Sequence, residues 1–284
     1  MTVHSYTLPD RAVLHLSGPD TLEFLRGLVT QSLTKLTDEQ PVYSLLLTPQ
    51  GKIISDFFIA RKGDDLLLDC PASIADTLKK KLTLYKLRAK VEIEDVSELW
   101  TAVQMWGDEN RLEKMIAEAL AFLHVYRDPR LPALGVRVLG PTQAKPDLPG
   151  EVSRAEWDAH RTVLGVPEFD ADFVSEQTFP MDVNMDRLNA IDYKKGCFVG
   201  QEVASRMKRK GEVRKRTLIV EAPAPLSVGS PVMAGESTLG EITSNADKQS
   251  LALIRLDRLD KAGDAGLTVD DQTVTLTRPP YLED

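Results

Sequence analysis

The stretch KGCFVGQE, residues 195–202, places a single cysteine between two glycines. Glycine has no Cβ and tolerates a positive φ, so Gly196 and Gly200 predict a tight loop in which Cys197 and its backbone lie close to another group. Phe198 is the aromatic side chain next to the cysteine, and we expect it to be buried and to fix the loop. The stretch therefore predicts a constrained loop around one thiol.

Charged groups near this loop are expected to favour the thiolate form of Cys197. Gly200 stands where a helix cap is expected, so the cysteine would lie just before a helix N-terminus. Lys194 and Lys195 precede the cysteine, and Arg206 follows it. Neighbouring cations and helix N-termini lower the pKa of a thiol. We therefore predict a functional thiol at this position.

The sequence also narrows the chemistry of this thiol. No histidine lies within thirty residues on either side of Cys197, and a cysteine nucleophile normally needs such a base. A metal ligand or a redox-sensitive contact needs only the thiolate, so we predict ligand or exchange chemistry rather than covalent catalysis. The second cysteine, Cys70, ends the apolar stretch LLLDC and is predicted to be a buried structural residue.

Composition limits the classes of function. The chain has 284 residues, a net charge of −8 and two cysteines. The negative charge argues against nucleic-acid binding through phosphates, and no apolar run approaches the roughly 18 residues that a membrane helix needs. Four scattered histidines and no CxxC pair predict no zinc site and no complete iron–sulfur cluster held by this chain alone. Because the cysteine count favours a reducing compartment and the first residues lack a secretory pattern, we predict the cytoplasm or a compartment with a similar interior.

One segment opposes the overall charge. Residues 208–216 carry six cations and a single acid. A local concentration of cations in an acidic protein suits a small polyanion better than a long nucleic acid, so we predict an anion site there.

Hydrophobic periodicity predicts alternating strands and helices up to Gly165. Asp20 with Glu23 fits a capping box that opens a helix. Further helices are predicted to start at Ser73, Asp108 and Ser153, the second of these running through Leu120 to Leu123. Strands are predicted at 43–47, 52–61, 66–70, 91–94 and 135–139, with a hairpin turn at 62–65. Residues 166–192 are predicted to be extended with turns.

From Thr217 onward the pattern changes to short strands separated by Pro, Gly, Asn and Asp, without a convincing helix. Such spacing predicts a small antiparallel barrel of about 70 residues. We therefore predict an α+β region over residues 1–216, subdivided near 97–150, and a β-barrel domain over residues 217–284.

KGCFVGQE resembles the K-G-C-F/Y-x-G-Q-E signature of the YgfZ family, the bacterial relatives of a mitochondrial iron–sulfur assembly factor, at eight contiguous positions. The resemblance extends over nearly the whole chain through LSGPDTLEFLRGLVTQ (16–31), LLLTPQGKIISDFFI (45–59), RTVLGVP (161–167) and FPMDVNMD (179–186). That family is similar in fold to the aminomethyltransferase, or T-protein, of the glycine cleavage system. The implied fold is α+β, with two α/β portions around a central folate-sized pocket and a C-terminal small antiparallel β-barrel.

The resemblance also implies a cofactor and partners. The implied cofactor is tetrahydrofolate or a derivative, and a second group is an iron–sulfur cluster shared transiently with a partner. The implied partners are A-type iron–sulfur carrier proteins and 4Fe-4S client enzymes. Cys197 is the candidate catalytic residue and shared cluster ligand. The candidate cofactor-binding residues are Lys52, Asp56, Trp157, Arg161, Lys195, Gln201, Glu202 and Arg206.

This chain departs from the T-protein pattern at three places. That enzyme has an R-x-E-x-G pattern whose acid binds the pterin. At the position of this acid the present chain has Val163. Where the enzyme usually has two adjacent acids, this chain has Ser55 and Asp56. The enzyme also lacks a cysteine at the place of Cys197. Loss of acids together with gain of a thiol predicts a change of chemistry.

We therefore predict a folate-binding accessory protein for assembly or repair of 4Fe-4S clusters, without classical enzymatic turnover. Cys197 would supply a ligand or a redox contact, and residues 208–216 would attract a polyglutamate tail or an acidic face of a carrier. One alternative is a tetrahydrofolate-dependent, aminomethyltransferase-like one-carbon transferase that depends on Asp56. Another is a folate-binding or storage module in which neither residue affects cluster enzymes.

Overall fold

A computed structural model of the chain describes residues 2–118, 123–144, 148–210, 213–263 and 265–283. The chain divides into two compact units, of which the first comprises Met1–Ser153 and Asn189–Gln201 and the second Arg154–Leu188 and Glu202–Asp284. This division differs from the boundary at 216/217 that we predicted. Its physical reason is that a helix starting at Arg154 packs on strands of the C-terminal sheet, a contact that the sequence pattern does not reveal.

The first unit contains two antiparallel sheets with helices packed on them. Its strands are β1 (Val3–Thr7), β2 (Arg11–Ser17), β3 (Val42–Leu47), β4 (Ile53–Lys62), β5 (Asp65–Pro71), β6 (Glu92–Asp95), β7 (Trp100–Gly107), β8 (His124–Arg127) and β9 (Val136–Pro141), and its helices are α1 (Thr21–Arg26), α2 (Ala75–Lys86) and α3 (Glu109–Ala117). One sheet has five strands in the order β3-β4-β5-β2-β6, and the other has four in the order β1-β7-β9-β8. The predicted hairpin is confirmed, because β4 and β5 pair as far as Lys62 and Asp65.

The two faces of the five-stranded sheet differ in chemistry. Successive side chains of a strand point to opposite faces. One face carries apolar side chains that pack with Leu78 and Leu82 of α2, and Cys70 is buried among them as predicted. On the opposite face the register places Tyr43 beside Phe58 and Phe58 beside Asp69. The second face therefore buries polar groups.

Two helix caps were predicted from the sequence, and the structure confirms one of them and contradicts the other. Asp108 caps α3 as predicted, because its side chain accepts the N–H of Arg111 at 3.1 Å. The capping box predicted at Asp20 and Glu23 is wrong, since the Asp20 carboxylate instead accepts the backbone N–H of Lys90 at 2.7 Å. The carboxylate therefore fixes the chain entering β6 rather than the first turn of α1.

The predicted length of the third helix is tested only in part. In the described residues α3 ends at Ala117, whereas the prediction extended this helix to Leu123. Leu120 lies outside the described residues. Leu123 is described and lies outside any helix, immediately before β8.

The second unit is built on a seven-stranded antiparallel sheet in the order β15-β14-β11-β12-β13-β10-β16. Its elements are α4 (Arg154–Val163), α5 (Gln201–Lys210, starting at the last residue of the first unit), β10 (Lys215–Glu221), β11 (Pro231–Ala234), β12 (Ser237–Ala246), β13 (Gln249–Arg255), α6 (Leu256–Ala262), β14 (Leu267–Val269), β15 (Gln272–Thr273) and β16 (Thr275–Thr277). The expectation of no helix after Thr217 is wrong, because α6 follows β13 directly. Leu256 and Leu259 of α6 pack on the apolar core of the sheet, which stabilises this short helix.

Candidate functional site

The cysteine loop, residues 189–200, is attached to the first unit by Thr30. This side chain is fully buried. Its hydroxyl donates to the carbonyl oxygen of Ala190 at 2.7 Å and accepts the N–H of Leu45 at 2.9 Å. The carbonyl of Thr30 also accepts the N–H of Asp192 at 3.0 Å. One buried residue thereby joins the start of the loop to strand β3.

Lys195 forms a second attachment of the loop. Its Nζ donates to the carbonyl oxygen of Arg26 at 2.9 Å and also to that of Val29. The ammonium lies 5.3 Å from the centroid of the Phe198 ring. Burial lowers the pKa of Lys195 to about 8. This lysine therefore binds the carbonyls at the end of α1, and the cofactor-binding role that we assigned to it stays a prediction.

The end of the loop packs against the turn between β3 and β4. Gly200 has a φ of +81°, and a Cβ added there would lie 2.6 Å from the carbonyl oxygen of Thr48. A side chain would therefore be strained and would also clash with the turn. Gly196 differs from the prediction, because its φ is not positive and an added Cβ would meet nothing within 4 Å. The tight conformation expected of both glycines is required at Gly200 alone.

The loop exposes its thiol while burying the neighbouring ring. Cys197 is exposed and Phe198 is 6% exposed, which confirms the prediction that Phe198 is buried. Cys70 is fully buried, and burial raises the pKa of its thiol to about 12. The two cysteines are therefore in opposite environments, and of the two thiols that of Cys197 is the exposed one.

Helix α5 follows the loop and carries three of the predicted site residues. Gln201 is half-buried and its N–H donates to the carbonyl of Phe198 at 3.2 Å. Glu202 and Arg206 are exposed, and Ala204 is the buried residue of this stretch. The cofactor-binding roles given to Gln201, Glu202 and Arg206 stay predictions.

A buried charged cluster lies between the two sheets of the first unit. We call it the Phe58 cluster, and it consists of Arg11, Tyr43, Asp56, Phe58, Asp69, Arg130 and Arg137. Its centre is Asp69, which is fully buried. Asp69 accepts Nε of Arg11 at 2.7 Å and both Nε and Nη2 of Arg137 at 2.8 and 2.6 Å. Burial alone would raise the pKa of Asp69, but the two guanidinium groups hold it below its usual range.

Arginines also surround the Phe58 ring. The guanidinium carbons of Arg137, Arg130 and Arg11 lie 4.1, 5.1 and 5.7 Å from the ring centroid. Cation–π contacts of this kind strengthen when the cation is desolvated. Arg130 is further held by Asp128, with Nη2 to Oδ2 at 2.6 Å. The ring and its arginines therefore form a fixed layer beside Asp56.

Asp56 has an unused acceptor inside this layer. The residue is 4% exposed, and its Oδ2 accepts the hydroxyl of Tyr43 at 2.9 Å. Burial and the nearby Asp56 carboxylate raise the pKa of Tyr43 well above its usual value, which keeps the phenol a donor. Among the described residues, Oδ1 of Asp56 is buried without a hydrogen-bond partner. A buried unpaired acceptor is unfavourable unless a ligand supplies a donor.

This acceptor fits the cofactor that the resemblance implies. A pterin ring presents N–H groups, and Oδ1 of Asp56 can accept one of them. Lys52 lies half-buried at the end of the turn after β3, where its carbonyl accepts the N–H of Thr48 at 2.8 Å. Cofactor binding by Asp56 and by Lys52 stays a prediction.

The remaining predicted site residues lie in the second unit with partners of their own. Arg161 is 2% exposed and donates to Asp158 at 2.7 Å and to Asp172 at 2.6 Å. Trp157 is 1% exposed and its Nε1 donates to Glu168 at 3.2 Å. These hydrogen bonds satisfy the polar groups of two side chains that are buried in the second unit. The cofactor-binding roles of Trp157 and Arg161 stay predictions.

Sequence reasoning missed most of the Phe58 cluster. A signal was present, because Asp69 interrupts the apolar run LLLDC and Asp56 interrupts IISDFFI. An acid inside a buried strand needs a donor, so each of these two acids predicts a buried partner. The partner Arg137 comes from the other sheet, and a single sequence does not identify it.

The described residues contain no group of three or more His, Cys, Asp and Glu side chains placed to hold a metal ion. In the part of the chain that the structure describes, no helix has the length and apolar character needed to cross a membrane.

Comparison with known proteins defines the class. Residues 11–126 match the domain described as the GCVT N-terminal domain, and residues 214–284 match the one described as CAF17, C-terminal beta-barrel domain. The crystal structure of glycine cleavage system aminomethyltransferase T from Bartonella henselae matches with a TM-score of 0.80 over 99% of this chain and 86% of that chain, at 14% identity. The protein therefore has the α+β fold of the glycine cleavage aminomethyltransferases with a C-terminal antiparallel β-barrel, as predicted.

Curated relatives define the family more closely. The mitochondrial iron–sulfur cluster assembly factor IBA57 homolog of Pyricularia oryzae is 31% identical over 280 residues, which cover 88% of this chain and 71% of the relative. The homolog of Mycosarcoma maydis is 32% identical, over 78% of this chain and 59% of the relative, and human IBA57 is 29% identical, over 88% and 76%. The chain thus spans between 59% and 76% of the lengths of these relatives. It belongs to the IBA57 family.

These comparisons correct one prediction and refine another. The prediction of a cytoplasmic location is wrong, because the relatives are named as mitochondrial proteins. The features that we used, few cysteines and no secretory pattern, do not distinguish the cytoplasm from other reducing compartments. The motif resemblance is supported at the level of the IBA57 family, and the YgfZ name itself stays an interpretation.

Proposed function

We propose that the protein is a folate-binding accessory factor for the assembly or repair of 4Fe-4S clusters, in which Cys197 is the functional thiol. The observation that carries this proposal is that Cys197 is exposed while the rest of its loop is held to the protein by hydrogen bonds and by a buried aromatic ring. Thr30 and Lys195 hold the loop to the first unit, and Phe198 is buried beside the thiol. The names of the curated relatives, iron–sulfur cluster assembly factors, support the assembly part.

The loop geometry suits a thiol that acts on a second molecule. A fixed loop has little conformational entropy to lose when a partner binds, so more of the contact energy remains for binding. Cys197 would supply one ligand or one redox contact to a cluster, which is the cargo of the reaction. The remaining ligands would come from an A-type carrier protein or from a 4Fe-4S client enzyme.

The folate part of the proposal rests on Asp56. Its Oδ1 would accept an N–H of the pterin, while Tyr43 holds Oδ2 and thereby fixes the orientation of the carboxylate. The neighbouring arginines Arg137 and Arg130 are themselves held by Asp69 and Asp128. When bound, a tetrahydrofolate would supply a one-carbon carrier or a reductant at this site.

The test is rescue of a 4Fe-4S enzyme in cells that lack the protein. Aconitase activity is measured after expression of wild type, Cys197→Ser or Cys70→Ala at matched levels. Because Cys70 is buried, Cys70→Ala controls for the loss of a thiol as such. We expect wild type and Cys70→Ala to restore activity and Cys197→Ser to fail. Equal rescue by Cys197→Ser would refute the role of the thiol.

A second candidate function is favoured by the unpaired oxygen of Asp56 together with the aminomethyltransferase-like fold. As a tetrahydrofolate-dependent one-carbon transferase, the protein would turn over an aminomethyl donor. Asp56→Asn would abolish that turnover, and Cys197→Ser would leave it unchanged. Measurement of formaldehyde-level one-carbon transfer to tetrahydrofolate by the purified protein separates the two functions.

A further inference from the structure

Helix α2 presents two leucines to solvent on the face that points away from its sheet. Leu84 is 72% exposed, and Leu87, the residue that ends the helix, is 86% exposed. Leu78 and Leu82 of the same helix pack on the core of the first unit. Residues three or four positions apart are neighbours on a helix surface, so Lys80, Leu84 and Leu87 form one row on the outer face.

Leu87 combines this exposure with an unfavourable backbone conformation. Its φ is 46° and its ψ is −104°, which lies in the region of positive φ that bulky side chains rarely adopt. Glycine is the usual residue where a helix ends with a positive φ. A leucine at this position is therefore unfavourable in water through its backbone and again through its exposed side chain. An apolar contact with a second body would offset the exposure of the side chain.

Four cations adjoin the two leucines. Residues 80–90 contain no acid. Within the part of the chain that the structure describes, four cations of this stretch form no ion pair with a carboxylate: Lys80, Lys86, Arg88 and Lys90. Lys86 is half-buried and the other three are exposed. We call these four cations, together with Leu84 and Leu87, the Leu84 patch.

Strand β6 carries the acids that lie next to α2. Ile93 packs on the core beneath the helix, so Glu92 and Glu94 point toward the opposite face of the sheet. Asp95 lies on the same face as Ile93, where it interacts electrostatically with Lys79. Glu92 also lines the groove at the C-terminal end of α2, together with two lysines of the patch. One acid of this strand thus adjoins four cations, and the patch keeps a positive charge.

We propose that the Leu84 patch attaches the protein to the surface of a bilayer that contains anionic lipids. Each Lys or Arg near such a surface strengthens attachment, and apolar side chains between them enter the boundary between headgroups and acyl chains. Long cationic side chains keep their charge among the headgroups while Leu84 and Leu87 lie deeper. The net charge of −8 opposes this only weakly, because charges more than about 8 Å away are screened at physiological ionic strength. This inference goes beyond the function proposed above and does not depend on it.

The size of the patch favours a bilayer over an acidic protein. Residues 80–90 expose six side chains: Lys80, Thr83, Leu84, Leu87, Arg88 and Lys90. A stable protein interface takes about 20 to 30 residues from each partner. Attachment to a bilayer instead sums the contributions of individual cations and apolar side chains, so a small patch is sufficient.

The basic segment that the sequence predicts as an anion site, residues 208–216, is a different part of the chain. Lys208, Arg209 and Arg214 are exposed, and Arg216 is paired with Asp186 at 2.5 Å. The side chain at position 210 and residues 211 and 212 lie outside the described part of the chain. That anion site stays a prediction.

The experiment is co-sedimentation of the full chain with large unilamellar vesicles at low ionic strength. One set of vesicles is phosphatidylcholine alone, and the other contains equal parts of phosphatidylcholine and phosphatidylglycerol. The double variant Lys80→Gln, Arg88→Gln removes two cations. The double variant Leu84→Gln, Leu87→Asn removes both exposed leucines, and asparagine tolerates a positive φ.

A matched control changes the same kinds of side chain elsewhere. The double variant Val228→Gln, Lys248→Gln removes an apolar side chain that is 63% exposed and an exposed cation, both from the second unit. Circular dichroism checks that all variants keep their secondary structure. Titration with poly-L-glutamate, followed by calorimetry, is the probe for an acidic protein surface as the alternative occupant.

We expect wild type to sediment with the anionic vesicles and to stay in solution with phosphatidylcholine. Each cation removed should weaken the binding about fivefold, and the double leucine variant should weaken it about tenfold. The control should bind as wild type does. The proposal is overturned if binding to anionic vesicles is no stronger than to phosphatidylcholine, or if the control loses as much binding as the patch variants. Binding of poly-L-glutamate through Lys80 and Arg88 without binding to vesicles also overturns it and assigns the patch to an acidic protein.

Discussion

Replacing Asp69 by Asn should destabilise the first unit strongly. The side chain is fully buried and accepts three guanidinium N–H groups, one from Arg11 and two from Arg137. Arg137 is itself 2% exposed. Asparagine keeps the volume but removes the charge, and one of its two terminal atoms no longer accepts. Breaking a buried ion pair in this way leaves an uncompensated charge and typically costs about 3 to 5 kcal/mol.

The assay is equilibrium urea unfolding, with hydrogen exchange of the β4 and β5 amides as a readout specific to the first unit. The matched control is Asp65→Asn on the same strand. Asp65 pairs with His15 at 3.0 Å, but its side chain is 35% exposed, so its loss should cost no more than about 1 kcal/mol. A loss in Asp69→Asn as small as that in Asp65→Asn would refute the argument that the buried charges stabilise the sheet pair.

The pH dependence of the stability of Asp69→Asn provides a second test of the role of the buried carboxylate. The folded protein holds the pKa of Asp69 below its usual range, so the unfolded chain binds this proton more tightly. The contribution of Asp69 to the free energy of unfolding is therefore complete above about pH 4 and is lost as the pH falls through the folded pKa. The difference in stability between wild type and Asp69→Asn should accordingly shrink in acid, and urea titrations at several pH values measure it.

Two further predictions concern the cysteine loop. Gly200→Ala should destabilise the loop by about 1 to 3 kcal/mol, because of its positive φ and the clash with Thr48, whereas Gly196→Ala should change stability by less than about 0.5 kcal/mol. Hydrogen exchange of the loop amides compares the two, and equal effects would contradict the assigned geometry. Titration with a thiol reagent should detect one reactive thiol, Cys197, in the folded protein and a second, Cys70, only after denaturation. Two fast thiols in the folded state would mean that the core around Cys70 opens.

Local patterns in the sequence predicted the elements whose partners are close in sequence. The hairpin of β4 and β5, the cap of α3 by Asp108 and the burial of Phe198 all depend on residues a few positions apart. The capping box predicted at Asp20 is wrong because the N–H of Lys90, far along the chain, donates to the Asp20 carboxylate instead. Helix α6 was not predicted because the stretch LALIRL has the pattern of a strand up to Leu256, where the helix begins.

The sites required information that a single sequence lacks. The motif identified Cys197, and the strand pattern identified Asp56, but neither indicated their surroundings. The Phe58 cluster joins side chains of two sheets, because Arg137 on β9 donates to Asp69 on β5. Such sites depend on strand order and on loop packing, which periodicity does not determine.

The position of Cys197 constrains how the protein can handle a cluster. Several ligands are needed to hold an iron–sulfur cluster, and the described residues place no group of three potential ligands together. Cys70 cannot contribute, since it is fully buried and its pKa is about 12. In the proposed function, the other ligands of a cluster bound through Cys197 come from a second molecule. The hydrogen bonds of Thr30 and Lys195 to the loop favour that proposal, because a thiol held in one position can complete a coordination sphere that a partner has left open.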